Sequence, residues 1–231
     1  MSTTPVVSVI IPTFNCAHYL QEAIASAVEQ HPSLELIVVD DGSNDDTADV
    51  VRRGPVVTLL QQAHAGISAA RNRGVARASG EFLSFLDADD VLVPGKIARQ
   101  LAHLTAADGP DLSFGAVEEF VSPELPPAER ARFQPRGRMR GRVAGTMLVR
   151  RSVFNRIGPF SPVWRVGEFA DWYLRAGEAG LRSEDLSDVV LHRRLHGGNI
   201  GVRQRDARID FARIMKQSLD RRRQAARPEP E

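Results

Sequence analysis

The chain has 231 residues, which is long enough for one large α/β domain with a proper core. Its 30 Lys and Arg residues balance 29 Asp and Glu residues, so the overall charge gives no reason to expect binding to nucleic acid or to a membrane surface. A single cysteine, Cys16, excludes an internal disulfide framework. The N-terminal stretch has neither a basic segment nor an apolar run of membrane length, and we therefore expect a cytoplasmic protein.

In the first hundred residues, predicted strands alternate with predicted helices. Continuous apolar runs indicate buried strands, and apolar residues recurring every three or four positions indicate helices. The predicted strands are 6–12, 34–39, 56–61 and 82–86, and the predicted helices are 19–30, 49–53, 67–78 and 95–107. This alternation is typical of a mostly parallel, doubly wound sheet with right-handed crossovers.

The second half of the chain is less regular. We expect strands at 112–118, 143–149 and 189–195, and helices at 151–157, 168–179 and 206–226. Residues 122–142 contain four prolines and many arginines with little periodicity, which predicts a mobile basic loop.

Acidic residues follow two of the predicted strands. Asp40 and Asp41 come after the second strand, and Asp87, Asp89 and Asp90 come after the fourth. Because the carboxyl ends of parallel strands meet at one rim, we expect these side chains to gather there. Close aspartates repel each other, which raises their pKa values and destabilises the folded state. A divalent cation such as Mg²⁺ or Mn²⁺ bound between them removes this repulsion.

The spacing of the second acidic cluster bears on a metal site. In extended backbone, Asp87 and Asp89 point to the same side and can face one ion, while Asp90 is left to cap the following helix. The alternative is an ordinary turn with a helix cap, since short motifs are weak indicators. The second acidic strand end, at Asp40 and Asp41, favours the metal site.

Five segments, in chain order, carry a resemblance to a known family. They are VSVIIPTFN, YLQEAI, IVVDDGSNDDT, GISAARNRGVARASGEFLSFLDADD and GTMLVRRSVFNRIGPF. In this order they resemble the nucleotide-sugar-dependent glycosyltransferases of family 2, which are inverting enzymes with the GT-A fold. The resemblance implies an α/β fold with a donor-binding half at 1–110 and an irregular acceptor-side half at 111–205. A basic C-terminal helix with a disordered tail is expected at 206–231.

The resemblance implies a nucleoside diphosphate sugar as the donor, with uridine as the family's commonest base. Pro12, Thr13 and Asn15 would line the base pocket, and Asp40 or Asp41 would accept a hydrogen bond from the base or ribose. The alternative for the two aspartates is a type I turn that leads into a helix cap.

The diphosphate is expected to meet a basic residue and a cation. Arg71 offers a planar fork for phosphate oxygens, and Asn72 would orient the loop or the sugar. The acidic cluster resembles the family's DxD motif. By that resemblance Asp89 is the direct ligand of Mn²⁺ or Mg²⁺, and Asp87, next to Ala88, contacts the ribose or reaches the metal through water.

The segment LHRRLHGGNIG resembles a downstream arginine-histidine-asparagine element of the same family. Arg194 would neutralise phosphate charge, and His196 would touch the diphosphate or supply an additional metal ligand. The alternative for His196 is an ordinary surface histidine.

Transfer with inversion requires a group that takes the proton of the acceptor. Family members usually carry a Glu-Asp pair at a helix start, with the Asp as the base. Here Glu168 falls on the Glu, and Phe169 replaces the base. Glu168 or, one turn further, Asp171 would take its place, and we favour Glu168. The departure at Phe169 leaves one alternative, a non-catalytic nucleotide-sugar-binding protein on the same fold.

The sequence identifies neither the sugar nor the acceptor. A glycan, a lipid-linked glycan, a peptide and a small molecule all fit, because pocket shape rather than a motif selects the acceptor. The basic C-terminal region leaves a peripheral membrane contact open. A nucleotidyltransferase is disfavoured because IIPTFNCAHYL, after the first strand, lacks a glycine-rich phosphate loop.

Overall fold

A computed structural model describes residues 6–31, 33–54, 57–199 and 209–225. Three predictions fall partly or wholly outside these residues. They concern the first residue of the third strand, at 56, the two ends of the last helix, at 206–208 and 226, and the tail at 227–231.

The chain order is as follows. The strands are β1 (Val7–Thr13), β2 (Leu34–Asp40), β3 (Thr58–Gln61), β4 (Phe82–Phe85), β5 (Val91–Leu92), β6 (Leu112–Val121), β7 (Arg138–Arg140), β8 (Leu148–Arg150) and β9 (Ser183–Leu195). The α-helices are α1 (Ala17–Val28), α2 (Thr47–Arg53), α3 (Ile67–Arg77), α4 (Lys96–Thr105), α5 (Pro127–Arg130), α6 (Arg151–Ile157), α7 (Glu168–Glu178) and α8 (Ile209–Ala225).

The described strands form one sheet in the order β3-β2-β1-β4-β8-β6-β9-β5, with β7 added on β6. The first four strands are parallel to one another, and β1 lies between β2 and β4. Every residue of β1 is buried, which explains its continuous apolar run. At the carboxyl edge Thr13 pairs with Asp40, and Asp40 pairs with Gln61, so the polar residues after these strands share one rim.

The other half of the sheet is mixed. Strand β8 runs antiparallel to both β4 and β6, whereas β6 and β9 are parallel. Because β9 ends at Leu195 beside Val121, the residues around this strand end reach the same region as the acidic turn after β4.

Helices cover both faces of the sheet, as a doubly wound fold requires. Alternate residues of β1 separate into two cores: Val9 and Ile11 pack with α1 and α4, and Ile10 packs with α3 and α7. The second core includes Trp172, which is fully buried and donates from Nε1 to the carbonyl of Gly158 at 2.9 Å. The predicted fold class is confirmed.

Three local predictions were wrong. The basic loop at 122–142 contains the short helix α5 and strand β7, which pairs with β6. The predicted strand at 143–149 begins as a 3₁₀ turn at Ala144–Thr146, because Thr146 Oγ1 bonds back to the carbonyls of Gly141 and Val143 at 2.6 and 3.0 Å. Strand β9 begins at Ser183, six residues earlier than the apolar pattern indicated.

Helix α8 lies along α7. Its buried residues, Asp210, Ile214 and Ser218, repeat every four positions and form the contact face. In the part of the chain that the structure covers, no helix has both the length and the apolar content that crossing a bilayer requires.

Candidate active site

The two aspartates after β2 accept hydrogen bonds from the backbone of the loops at the rim. Asp41 is buried, and its carboxylate accepts the backbone N–H groups of Ala65 and Gly66 at 2.9 and 2.8 Å. Asp40 accepts the N–H of Ser43 at 2.9 Å, which is the contact expected of a turn. Both carboxylates therefore already order the loops after β2 and before α3, and their predicted contact with a base or ribose stays a prediction.

The end of β1 forms the floor beside these loops. Pro12 and Thr13 are its last residues, and Thr13 Oγ1 is a buried hydroxyl without a hydrogen-bond partner among the described residues. Asn15 adopts a left-handed φ of 49°, and its Oδ1 accepts the N–H of Asn44 at 2.9 Å.

Phe14 is a rim residue that the sequence analysis missed. Its side chain is 45% exposed and stacks on His64 with ring centroids 4.1 Å apart. An exposed aromatic pair is suited to a flat, heteroaromatic ligand. The only sequence signal was its position between Thr13 and Asn15.

The acidic cluster after β4 forms a tight turn, in which the Asp90 N–H donates to the Asp87 carbonyl at 3.1 Å. Ala88 is buried in this turn. Asp90 does not cap a helix, because its Oδ1 accepts the backbone N–H of Arg194 at 2.9 Å. Burial, followed by the charges of Asp89 and Asp87, raises the pKa of Asp90 well above its usual value.

Asp89 is tied to the residues after β9. Its Oδ2 lies 2.9 Å from His196 Nε2 and accepts Asn199 Nδ2 at 3.0 Å. The ring of His196 lies against Tyr19, with centroids 4.6 Å apart. The structure thus brings Asp89 and His196 together, and it adds Asn199, which the sequence analysis did not assign.

Arg194 is buried and already bonded. Its Nε donates to the Asp89 carbonyl at 2.9 Å, its Nη1 donates to Ser122 Oγ at 3.2 Å, and its Nη2 pairs with Glu22. The guanidinium lies 4.8 Å from the centroid of the Tyr19 ring. Arg194 therefore links the acidic turn to Ser122 and Glu22, and its predicted contact with phosphate stays a prediction.

Arg71 joins the acidic turn after β4 to α7. The residue is 2% exposed, its Nη2 donates to Asp87 Oδ1 at 2.6 Å, and its Nη1 pairs with Glu168. Burial by itself lowers the pKa of Arg71, but Asp87 and Glu168 outweigh it and raise that pKa above its usual value. Arg71 Nε has no partner among the described residues.

Asn72 orients a loop rather than standing free. Its Nδ2 donates to the carbonyl of Phe160 at 2.8 Å, and its Oδ1 accepts the N–H of Phe160 at 2.9 Å. Phe160 lies under the Arg71 guanidinium, 5.8 Å from Cζ to the ring centroid. Asn72 thereby fixes the wall beside Arg71, which is one of the two predicted roles.

The first turn of α7 separates the two candidate bases. Glu168, the first residue of the helix, faces Arg71. Asp171 is buried on another side, where it accepts Arg175 Nε at 3.0 Å and lies 3.7 Å from Arg221 Nη1 of α8. Asp171 is thus engaged with helix residues, whereas Glu168 meets the residues of the rim.

Phe169 points into the second core. It is 8% exposed and packs against the rings of Phe114 and Tyr173, with centroids 6.1 Å away in each case. An aspartate at this position would lie among aromatic side chains rather than at the rim.

Two carboxylate oxygens remain for a cation. Asp87 Oδ2 and Asp89 Oδ1 accept no hydrogen bond from the described residues, and the two side chains are 42% and 22% exposed. Within residues 6–199 and 209–225, as far as they are described, no three His, Cys, Asp or Glu residues are grouped as a ready-made metal site. Two carboxylate oxygens fit Mg²⁺ or Mn²⁺ that takes its other ligands from water and substrate phosphates.

Sequence comparisons place these residues in a family. A profile described as "Glycosyl transferase family 2" matches residues 8–163. An uncharacterized glycosyltransferase of Nostoc sp. is 32% identical over 221 residues, which cover 84% of this chain and 66% of that protein. The putative teichuronic acid biosynthesis glycosyltransferase TuaG of Bacillus subtilis is 35% identical over 43% of this chain and 42% of its own length. The chain therefore spans less than two thirds of these relatives.

Solved structures share the fold. A complex of S. aureus TarS (residues 1–349) with UDP-GlcNAc superposes with a TM-score of 0.64 at 22% identity, covering 84% of this chain and 59% of that one. The mannosyltransferase PcManGT from Pyrobaculum calidifontis, in complex with GDP-Man and Mn²⁺, gives a TM-score of 0.66 at 21% identity over 99% of this chain and 67% of its own. The chain belongs to glycosyl transferase family 2 and has a fold of the GT-A type.

Proposed function

We propose that this chain is an inverting glycosyltransferase that moves a sugar from a nucleoside diphosphate sugar to an acceptor hydroxyl. The observation that carries the proposal is the buried Arg71, which pairs with Asp87 on the donor side and with Glu168 at the start of α7. A donor-binding acid and a candidate base are thereby held on either side of one guanidinium, as a transfer between two substrates requires.

The donor nucleoside would lie at the ends of β1 and β2. Its base would stack on the exposed ring of Phe14. We take UDP as the first donor to test, because TarS binds UDP-GlcNAc. The complex of PcManGT with GDP-Man makes a guanosine donor the second.

Asp89 and Asp87 would hold Mn²⁺ or Mg²⁺ through their two open carboxylate oxygens. The bound cation neutralises the charge that develops on the leaving diphosphate. His196 holds Asp89 from the other side at 2.9 Å, which orients the carboxylate. The neighbour PcManGT is in complex with Mn²⁺, which supports a divalent ion here.

Glu168 would accept the proton of the acceptor hydroxyl. Its Oε1 is bound by Arg71, which fixes the direction of the carboxylate. Asp171 is the weaker candidate because of where its partners lie: Arg175 and Arg221 hold it on the α8 side, whereas Arg71, the partner of Glu168, also binds Asp87 at the rim.

A non-catalytic binding protein is the second candidate function. Phe169 favours it, because the position of the family's base points into the core and does not reach the rim. This alternative keeps the donor site and the cation but has no transfer step.

Donor turnover separates the two candidates. The protein is incubated with a panel of nucleoside diphosphate sugars, Mn²⁺ and mixed acceptors, and release of nucleoside diphosphate is measured. We expect release that Asp89→Asn and Glu168→Gln reduce on the order of a hundredfold, and that Asp108→Asn, an exposed control, leaves unchanged. Tight donor binding without release would establish the binding protein, and no binding of any donor would contradict both.

A further inference from the structure

Helix α8 is fixed to the body of the protein by one face. Ser218 Oγ donates to Glu178 Oε1 at 2.5 Å, and Arg221 Nε donates to Glu178 Oε2 at 2.6 Å. Ile214 is buried against Gly167, where an added Cβ would come within 2.9 Å of its Cδ1. The orientation of α8 relative to the candidate site is therefore fixed, and its other faces are left exposed to solvent.

The neighbouring face of α8 carries a row of exposed apolar side chains. Phe211, Met215 and Leu219 are 46%, 52% and 49% exposed. Their spacing of four residues aligns them along the helix. Isolated exposed hydrophobic residues are ordinary on protein surfaces, whereas these three form an aligned row. We call Phe211, Met215 and Leu219 the apolar ridge.

Basic residues border the apolar ridge. Arg222 follows Leu219 by three positions and continues the row; its side chain is 57% exposed, and its Nε lies 4.0 Å from Glu178 Oε1. Lys216 and Arg223, three positions before Leu219 and four after it, lie on the adjoining face. Asp220, the acid next to Leu219 in the chain, points to another face of the helix and pairs with Arg223 at 4.0 Å.

We propose that the apolar ridge docks α8 onto the anionic surface of a lipid bilayer. A helix with an exposed apolar row and flanking Lys and Arg residues has the composition of an interfacial helix. The three apolar side chains would enter the boundary between headgroups and acyl chains, and Lys216, Arg222 and Arg223 would meet lipid phosphates. The charge of the flanks selects an anionic surface over a neutral one.

A second copy of this chain fits the ridge less well. Two ridges packed in parallel would bring like-charged arginines and lysines face to face. The ridge from Phe211 to Leu219 is only about 12 Å long at 1.5 Å per residue. A row of this length is far from burying the area of about 800 Å² per partner that stable interfaces need.

Docking on this face would place the candidate site near the membrane, but it does not require that the site is active. Phe211 packs over Gly167, where an added Cβ would come within 3.0 Å of Phe211 Cε1, and Gly167 directly precedes Glu168. A docked α8 would hold the Glu168 end of the site beside the membrane. Lipid binding needs no donor and no turnover, so it is tested separately from the proposed function.

Vesicle flotation tests the proposal with the full chain. Large vesicles of phosphatidylcholine alone and vesicles with about one third phosphatidylglycerol are compared at low and high salt. Met215→Glu places a negative charge on the ridge. Val28→Glu is the matched control, because Val28 is an exposed apolar residue of α1, 41% accessible. A triple variant, with Phe211, Met215 and Leu219 each changed to Ser, removes the ridge without adding charge.

We expect the wild-type chain and Val28→Glu to float with the anionic vesicles at low salt. Met215→Glu and the triple variant should lose binding by about tenfold or more. Three results would overturn the proposal: no flotation of the wild type, equal flotation of wild type and ridge variants, and a wild-type dimer in light scattering that Met215→Glu dissociates. A melting temperature that falls in both ridge variants but not in Val28→Glu would also overturn it, because the ridge would then be covered by the protein's own chain.

Discussion

At the scale of single residues, Arg71 is where the two acids of the candidate site converge. A buried guanidinium needs its carboxylate partners, and the carboxylates need the guanidinium, because each charge has lost its water. Asp87 is 42% exposed and retains some solvent, but the side chain of Glu168 is only 11% exposed. Removal of Arg71 therefore destabilises the protein mainly because it leaves the buried Glu168 carboxylate without a counter-charge.

Arg71→Met should lower the free energy of unfolding by roughly 3 kcal/mol or more, because it leaves Glu168 buried without a counter-charge. Urea unfolding monitored by circular dichroism measures the change. Arg73→Met, an exposed site on the same helix, serves as the control and should change stability by less than about 0.5 kcal/mol. Equal midpoints for the two variants would show that the bridge contributes nothing.

Phe169→Asp tests whether the residue type alone limits activity. The side chain would lie between Phe114 and Tyr173 rather than at the rim, so we expect no gain in transfer rate. Loss of the aromatic packing and burial of a charge should destabilise the fold by about 3 kcal/mol or more. Phe169→Leu should destabilise the fold by less than Phe169→Asp. A Phe169→Asp variant with a faster transfer rate would contradict the prediction, because it would show that α7 can turn this position toward the acceptor.

Sequence reasoning could predict which residues reach the rim, because the acids follow parallel strands directly. It could not predict that Arg71 contacts Glu168, 97 positions away, since that contact depends on how α7 packs across the sheet. The same limit applies to Asp171, whose partner Arg221 belongs to α8. Helical spacing placed Asp171 one turn from Glu168 on a shared face of the helix, but it could not predict that the two carboxylates bind different partners, Arg71 and Arg175.

At the scale of elements, α3 lies close to the sheet because Gly74 carries no side chain. An added Cβ would collide with Ile10 Cγ2 and come within 3.3 Å of Val39 Cγ2. In α7, Gly177 has nothing within 4 Å of the same position. The two glycines are thus both helical but differ in what surrounds them.

We expect Gly74→Ala and Gly177→Ala to change stability in opposite directions. Alanine at 177 should stabilise by about 0.5 to 1 kcal/mol, because helix propensity improves in open space. Alanine at 74 gains the same propensity but overpacks the core, and a net loss of about 1 to 3 kcal/mol is expected. Thermal unfolding of both variants provides the measurement, and a stabilised Gly74→Ala would disprove the close packing of α3.

Helix α4 is attached to the sheet by a buried lysine. Lys96 Nζ donates to Ser84 Oγ of β4 at 2.9 Å, and burial lowers the pKa of Lys96 to about 7. In the unfolded chain the pKa of Lys96 returns to its ordinary value of 10.5, so between pH 7 and 10.5 the unfolded state binds the extra proton. Stability should therefore rise as pH increases from about 7 toward 10.5.

Lys96→Met removes this titration. The difference in unfolding free energy between wild type and Lys96→Met should shift in favour of wild type with rising pH, by at most about 1.4 kcal/mol per pH unit. Urea unfolding at several pH values between 7 and 9.5 measures the slope, and the difference cancels the titration of other groups. A pH-independent difference would show that Lys96 is charged in the folded protein.

The elements that sequence reasoning located well are those with a strong apolar period. Strand β1 and helix α1 were predicted to within two residues, because burial of β1 on both faces and of one stripe of α1 dictates the pattern. Strand β7 was missed, since its arginines are exposed at the edge and only backbone pairing with β6 defines it. The position of an edge strand depends on backbone pairing with its neighbour, so the side-chain pattern of the strand itself does not reveal it.

At the scale of the whole molecule, the candidate site spans the two halves of the sheet. Asp41 and Asp87 come from the parallel half, while His196 and Asn199 follow β9 in the mixed half. Asp89 joins the halves through His196, so a donor with its cation would bind at the joint. A ligand that contacts both halves in the folded state stabilises the whole domain by mass action.

Thermal unfolding with UDP and Mn²⁺ tests this coupling. With ligand at about one hundred times its dissociation constant, stability should rise by about 2.7 kcal/mol, and the melting temperature should rise with it. UDP without Mn²⁺ should give a smaller shift, because the diphosphate then faces Asp87 and Asp89 with no cation between them. Asp89→Asn should remove the part that depends on Mn²⁺ and keep the part that UDP gives alone, whereas Asp108→Asn should keep both. If Asp89→Asn retains the full Mn²⁺-dependent shift, the cation binds elsewhere, and the acidic turn after β4 acts only as a structural link to β9.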